Sequence, residues 1–198
     1  MLAALFLWSA TASAAEIFRV AVGDPEDSEQ GYAAKAFKKY MEEQSKGQVE
    51  VQLFFGGSLG DESEVFRNVQ KGSQPFAVGG IANLVPFEKR LGILTLPYLF
   101  DNLDEVVVGT NGKPAELLNS YATKAGFRVL CWTYTDFRYI SNSKRPIKKM
   151  DDIKGLKFRV PQSAVLIASY KAFGGSPTPI SWAETFTALQ QGVVDGQC

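Results

Sequence analysis

The segment Lys157-Phe158-Arg159-Val160-Pro161 sets one guanidinium inside a short apolar run, beside the proline that ends it. Arginine keeps its charge at every working pH. It also offers two parallel N–H donors, a fork that fits a carboxylate and that lysine lacks. A charge placed among Leu156, Phe158 and Val160 needs a partner. Either an internal carboxylate provides it, with Asp151 and Asp152 closest in sequence, or an anion from outside does. In open α/β sheets ligands sit beyond the C-terminal ends of strands, and Arg159 lies at such an end. A helix predicted from about Ser163 would bring further N–H donors to the same place.

Other side chains could join this chemistry. Arg138, in "FRYISN" (137–142), is a second guanidinium in a strand-like stretch, where a surface role competes with an anion contact. Trp182 opens a helix and Phe186 follows one turn later; both could wall a cleft, and Phe186 could equally pack in a core. Gly79-Gly80 follows a strand and would let a ligand approach the backbone, or simply turn the chain. Trp132 and Tyr134 divide evenly between cleft and core, Glu64 and Glu184 are read as structural, and Cys131 as a small buried residue.

Much chemistry is excluded. There is no histidine, which removes the commonest general base and metal ligand. Cys131 and Cys198 make neither a zinc site nor a disulfide framework, and no ligand cluster calls for a metal or cofactor. No acid/base pair stands out, so a binding protein is expected rather than an enzyme. Lysine plus arginine equals aspartate plus glutamate at 21 each, so nothing in the charge points to nucleic acid.

The elements that must position these residues form a repeated order. "IFRVAV" (17–22) is a predicted strand, 28–46 a helix with Gly47 beyond it, and "QVEVQLFF" (48–55) a strand. Asp61 and Glu64 make a capping box for a helix to Lys71, and "FAVGG" (76–80) is a strand. After an apolar block (91–100) come helices at 102–109 and 113–125, then predicted strands at 127–134 and 137–142. The first order then returns: strand 156–161, helix 163–173, extended 176–181, helix 182–191, strand 193–196. Letters repeat too. Glu64-x-Phe66-x-x-Val69-Gln70 aligns with Glu184-x-Phe186-x-x-Leu189-Gln190, and "FRV" begins both units. Two β-α-β-α-β units argue for an α/β fold with parallel sheets and a ligand cleft between lobes.

"MLAALFLWSATASAAE" has a short apolar stretch and the small residues Ala12-Ser13-Ala14, so residues 1–14 are read as an export signal, although no Lys or Arg precedes the apolar stretch.

These segments together resemble a known family. "LPYLF" (96–100), "FRYISNSKRPI" (137–147), "DIKGLKFRVPQS" (152–163) and "GGSPTPISWAETFTALQQGVVDGQ" (174–197) are similar to the periplasmic solute-binding subunits of TRAP transporters, the DctP-like family. The resemblance implies a two-lobed periplasmic binding protein fold that closes on a small organic acid and hands it to membrane permease subunits. A ligand sensor of the same fold, docking to a signalling receptor, is the alternative. It implies Arg159 as the carboxylate clamp and Arg138 as a second contact. The expected lobes are 15–134 and 135–198, in a periplasmic monomer. Family members commonly read "DGQEN" where this chain reads Asp195-Gly196-Gln197-Cys198, and they are longer, so the second lobe is expected to be incomplete here.

Overall fold

The computed structural model describes residues 15–198. The export-signal reading falls on residues 1–14, outside the described residues.

Three strands open the chain: β1 (Glu16–Val22), β2 (Val49–Phe54) and β3 (Phe76–Val78). Helix α1 (Glu29–Gln44) and helix α2 (Glu62–Gln70) connect them. Each connection is a crossover, so the strands run parallel, in the order β2-β1-β3. The central strand is therefore the most apolar: Val20 and Val22 pack with Ala34 of α1 and Val51 of β2. Local chemistry sets the helix starts. The Ser28 hydroxyl accepts from the Gly31 N–H at 3.1 Å, and Asp61 accepts from the Glu64 N–H at 2.9 Å. The Glu64 half of the predicted capping box is absent among the described hydrogen bonds; Asp61 caps alone.

The chain then builds a layer over α2. A 3-10 segment (Lys89–Thr95), α3 (Leu103–Gly109) and α4 (Gly112–Lys124) follow β3. Leu91, Leu118, Ala122 and Phe127 close around Phe66.

The second sheet contains β4 (Ser141–Asn142), β5 (Lys157–Val160), β6 (Ser176–Pro179) and β7 (Gly196–Gln197), in the order β4-β7-β5-β6. Helices α5 (Ala164–Ala172) and α6 (Trp182–Gln190) make the crossovers. Strand β6 contains Pro177 and Pro179 and sits at the sheet edge, where missing N–H groups cost least. The repeat read in the sequence is thus topological as well: β1 and β5 are each flanked by the two strands that follow them in their unit. Ala82, just after β3, is buried with Phe158, Val160 and Leu166, joining the first unit to the core of the second.

Four expectations are corrected. The predicted strand at 127–134 does not form, nor does 137–140 of the next one; neither stretch joins a ladder among the described residues, and a strand needs a paired neighbour. Only Ser141–Asn142 of the predicted 137–142 pairs, with Gln197 and Gly196. Of the predicted strand at 193–196 only its last residue pairs, in the two-residue strand Gly196–Gln197. Cys131, expected to be buried, is exposed for the same reason as its neighbours.

Candidate ligand-binding site

Arg159 is the penultimate residue of β5 and only 3% exposed. Its Nε donates to the Ile180 carbonyl at 2.9 Å, which aims the fork from one side. The Trp182 ring lies 5.4 Å from the guanidinium carbon, within cation–π range. Neither internal partner weighed from the sequence reaches it. Asp151 pairs with Lys154 at 2.6 Å, and Asp152 accepts the Lys148 and Lys149 N–H groups at 2.9 and 3.1 Å. Among the described residues Arg159 makes no ion pair. Burial pulls its pKa down, and the Arg138 charge adds to that; Cys198 and Glu62 oppose it. A guanidinium starts so basic that it nonetheless stays charged, so a buried cation with no carboxylate partner among the described residues sits at the end of the strand.

The other predicted residues are distributed unevenly. Arg138 is exposed on the unpaired stretch, its Nη1 4.0 Å from Cys198 Sγ, and its charge is felt at Arg159. Tyr170 lies in the same neighbourhood; burial, followed by Cys198, pushes its hydroxyl pKa up. Trp182 is 44% exposed at the start of α6. Phe186, one turn on, is 73% exposed and belongs to no core cluster among the described residues. Glu184 accepts from the Ser181 hydroxyl at 2.8 Å, a local role. Trp132 is half-buried, its Nε1 donating to Asn119 at 2.9 Å, while Tyr134 is exposed.

Gly80 leads to a residue that sequence reasoning missed. Its N–H donates at 3.1 Å to Glu62, the first residue of α2. Glu62 also accepts from Gln30 Nε2 at 3.1 Å and from the Asn83 amide. A Cβ on Gly23 would overlap the Glu62 carboxylate, and one on Gly79 would come within 2.9 Å of the Phe66 ring. The turn after β1 is therefore glycine because the Glu62 carboxylate is held against it, and the turn after β3 because the Phe66 ring and that carboxylate both are. The available signal was surplus charge: Asp61 suffices as cap, so Glu62 beside it is free for another use. Asp24 stands nearby. Burial first, then the charges of Glu62 and Glu29, hold its carboxyl above the usual range.

These groups converge from two sheets. Gly23, Asp24, Gly79 and Gly80 follow the C-terminal ends of β1 and β3; Arg159, Ile180 and Trp182 lie at the corresponding ends of β5 and β6. Gly80 and Asn83 flank Ala82, which packs against the neighbours of Arg159. One side presents the Glu62 carboxylate, held by neutral amides, with Asp24 near it; the other presents a guanidinium and an indole. Among the described residues no group of acidic, cysteine or histidine side chains could hold a metal ion. No helix among them is long and apolar enough to cross a membrane.

Comparisons with known proteins show the family and the fold. Residues 20–198 match the profile of DctP, bacterial extracellular solute-binding protein family 7. A solute-binding protein of Verminephrobacter eiseniae is 39% identical over 191 residues, which is 95% of this chain and 56% of that protein. A TRAP periplasmic solute-binding protein from a Polaromonas species, solved with D-erythronate, superposes with a TM-score of 0.89 at 35% identity, covering 92% of this chain and 60% of that one. The counterpart from Sulfurospirillum deleyianum, solved with succinate, gives 0.89 at 29% identity, covering 93% and 60%. The chain thus spans little more than half the length of these proteins.

Proposed function

Because this chain belongs to family 7 of the bacterial extracellular solute-binding proteins, we propose that it captures a small organic acid in the periplasm and delivers it to the permease of a TRAP transporter. The family consists of binding proteins, and its solved members carry organic acids such as erythronate and succinate. One observation carries the reading: Arg159 is a buried cation at the end of a parallel strand with no carboxylate partner among the described residues. A ligand carboxylate completes it with two charge-assisted hydrogen bonds. Arg138 adds a second positive charge, Trp182 walls the site, Gly80 lets the ligand approach the backbone, and Phe186 is the outermost wall. The mature protein is exported by a signal at residues 1–14 and works as a monomer. Residues 15–134 form one lobe and 135–198 begin the second. Ligand draws the lobes together because its two ends touch different sheets, so that contacts exist only in the closed state.

Thermal unfolding of the protein expressed from its whole gene, against a panel of organic acids, tests this. A ligand at a hundred times its dissociation constant adds about 2.7 kcal/mol to stability. The expected result is a raised midpoint for the wild type and none for Arg159→Ala. Equal shifts in both would leave acid binding intact and make Arg159 structural. Turnover of the bound acid would contradict a binding role.

A further inference from the structure

A thiol shares the ground around Arg159. Cys198 follows Gln197, the residue that Arg159 faces across β5 and β7. It is half-buried and packs against the cluster that contains Phe158 and Tyr170. Arg138 Nη1 lies 4.0 Å from its sulfur, and the Tyr170 hydroxyl lies beside it. Of the charged groups acting on Arg159, Cys198 acts most strongly and Glu62, the one acid among them, most weakly. Two guanidiniums thus stand around one sulfur. The same place calls for an anion. Arg159 is 3% exposed and, apart from its Nε bond to Ile180, makes no hydrogen bond among those described. Neither Arg159 nor Arg138 forms an ion pair among the described residues. Against these two cations stands one spare acceptor, the buried and unpartnered Gln197 Oε1. Cys131 offers the contrast within the same chain: it is exposed and has no described bond to an arginine.

A partly exposed thiol in an electropositive setting is where cysteine chemistry concentrates. Here the setting also selects the reagent. Guanidiniums without a carboxylate of their own hold the carboxylate of an incoming molecule and raise its concentration at the sulfur. We propose that Cys198 is a modification site for carboxylate-bearing disulfides, and that a group attached there closes the acid-binding site. The thiol gives up its proton to solvent and its sulfur attacks one sulfur of the disulfide. The bond between the two halves of the reagent breaks, a new disulfide to Cys198 forms, and the other half leaves as a thiolate. Cys198 is oxidised and the departing half reduced, so no further oxidant is needed. The attached half keeps its carboxylate within reach of the two guanidiniums and takes the place of a free acid. The targeting of Cys198 stands on its surroundings alone; the closing of the site rests on the reading of Arg159 as the carboxylate clamp. A thiol reductant reverses the step.

Two aromatic disulfides separate charge from intrinsic reactivity. Dithiobis(nitrobenzoate) carries carboxylates, dithiodipyridine carries none, and both release a coloured product as they react. Rates are measured on the protein expressed from its whole gene, as Cys131→Ser and as Cys198→Ser, with peptide mapping of the wild type to compare both thiols in one molecule. The preference for the carboxylate-bearing reagent should be about tenfold greater or more at Cys198 than at Cys131. Arg138→Ala, a change at an exposed side chain, should shrink that preference, and so should about 1 M salt. Protein labelled at Cys198 should lose the stabilisation by an organic acid that the unlabelled protein shows, and a reductant should restore it. Equal preference at the two cysteines, or a preference unmoved by Arg138→Ala, would overturn the proposal while leaving the clamp intact. Undiminished acid binding by the labelled protein would overturn the closing of the site. An unlabelled protein that binds no acid would overturn the clamp and the closing together, and the ratio of rates would still decide the targeting.

Discussion

The two β-α-β-α-β units share strand order and even the triplet Phe-Arg-Val, yet they treat the same residues in opposite ways. Arg19 lies mid-strand in β1, three residues before its end, and is exposed. Arg159 lies one residue before the end of β5, beneath Trp182, and is 3% exposed. Phe66 on α2 is 6% exposed under Leu91, Leu118 and Phe127; Phe186, at the same place on α6, is 73% exposed. The first residue of each helix is Glu62 in one unit and Trp182 in the other, and both stand near Arg159. One backbone plan thus delivers corresponding positions to the same place. Which of them becomes functional depends on distance from the strand end and on what covers the helix. The first unit brings Glu62, the second the cation and the indole, so the proposed site draws on both.

Removing matched residues sharpens this contrast. The largest effect belongs to the phenylalanines. Phe66→Ala should cost about 3–5 kcal/mol, the loss of a fully packed aromatic, whereas Phe186→Ala should cost less than about 0.5 kcal/mol. Chemical denaturation reads both. Equal losses would mean that α6 is covered by residues outside those described.

Next comes the link between β5 and β7. Asp195 accepts from the Lys157 N–H at 2.8 Å and pairs with Lys144 at 3.5 Å. The Lys157 bond, followed by Lys144, holds its carboxyl below the ordinary 3.8. A depressed carboxylate stabilises above its unfolded-state pKa, and that stability is lost as pH falls through the folded-state value. Asp195→Asn should therefore cost about 1 kcal/mol at neutral pH, a difference that vanishes in acid below both values. A cost independent of pH from 7 down to 2 would place it in packing rather than charge.

The helix starts give the smallest effect. Asp61→Ala removes the side-chain cap on the Glu64 N–H and should cost about 1 kcal/mol. Ser181, whose hydroxyl bonds Glu184 rather than the backbone, should cost only a few tenths of a kcal/mol on replacement by Ala. Thermal melts of the pair would contradict this if the order reversed.

What could be read in advance follows from the range of the forces involved. Ser28 and Asp61 act within three residues, so helix starts were legible, as was the β-α-β-α-β order imposed by hydrophobic periodicity. Arg159 was legible because a charge before Pro161 violates the apolar pattern around it. Residues 127–140 misled because alternation records the capacity to pair, while the neighbour that realises it is a long-range matter. Glu62 escaped for a similar reason. In sequence it is an unremarked acid at a helix start, favoured there by the helix dipole. Its role appears only when Gln30, Gly80 and Asn83, up to 32 residues away, close around it.

The central claim is that the missing partner of Arg159 is a ligand carboxylate. Calorimetric titration of the tightest-binding acid into wild type, Arg159→Ala and Arg19→Ala tests it most directly. The account predicts a loss of about a hundredfold or more for Arg159→Ala and none for Arg19→Ala, since one removes a desolvated charge partner and the other a solvated side chain. Undiminished affinity in a folded Arg159→Ala protein would contradict it.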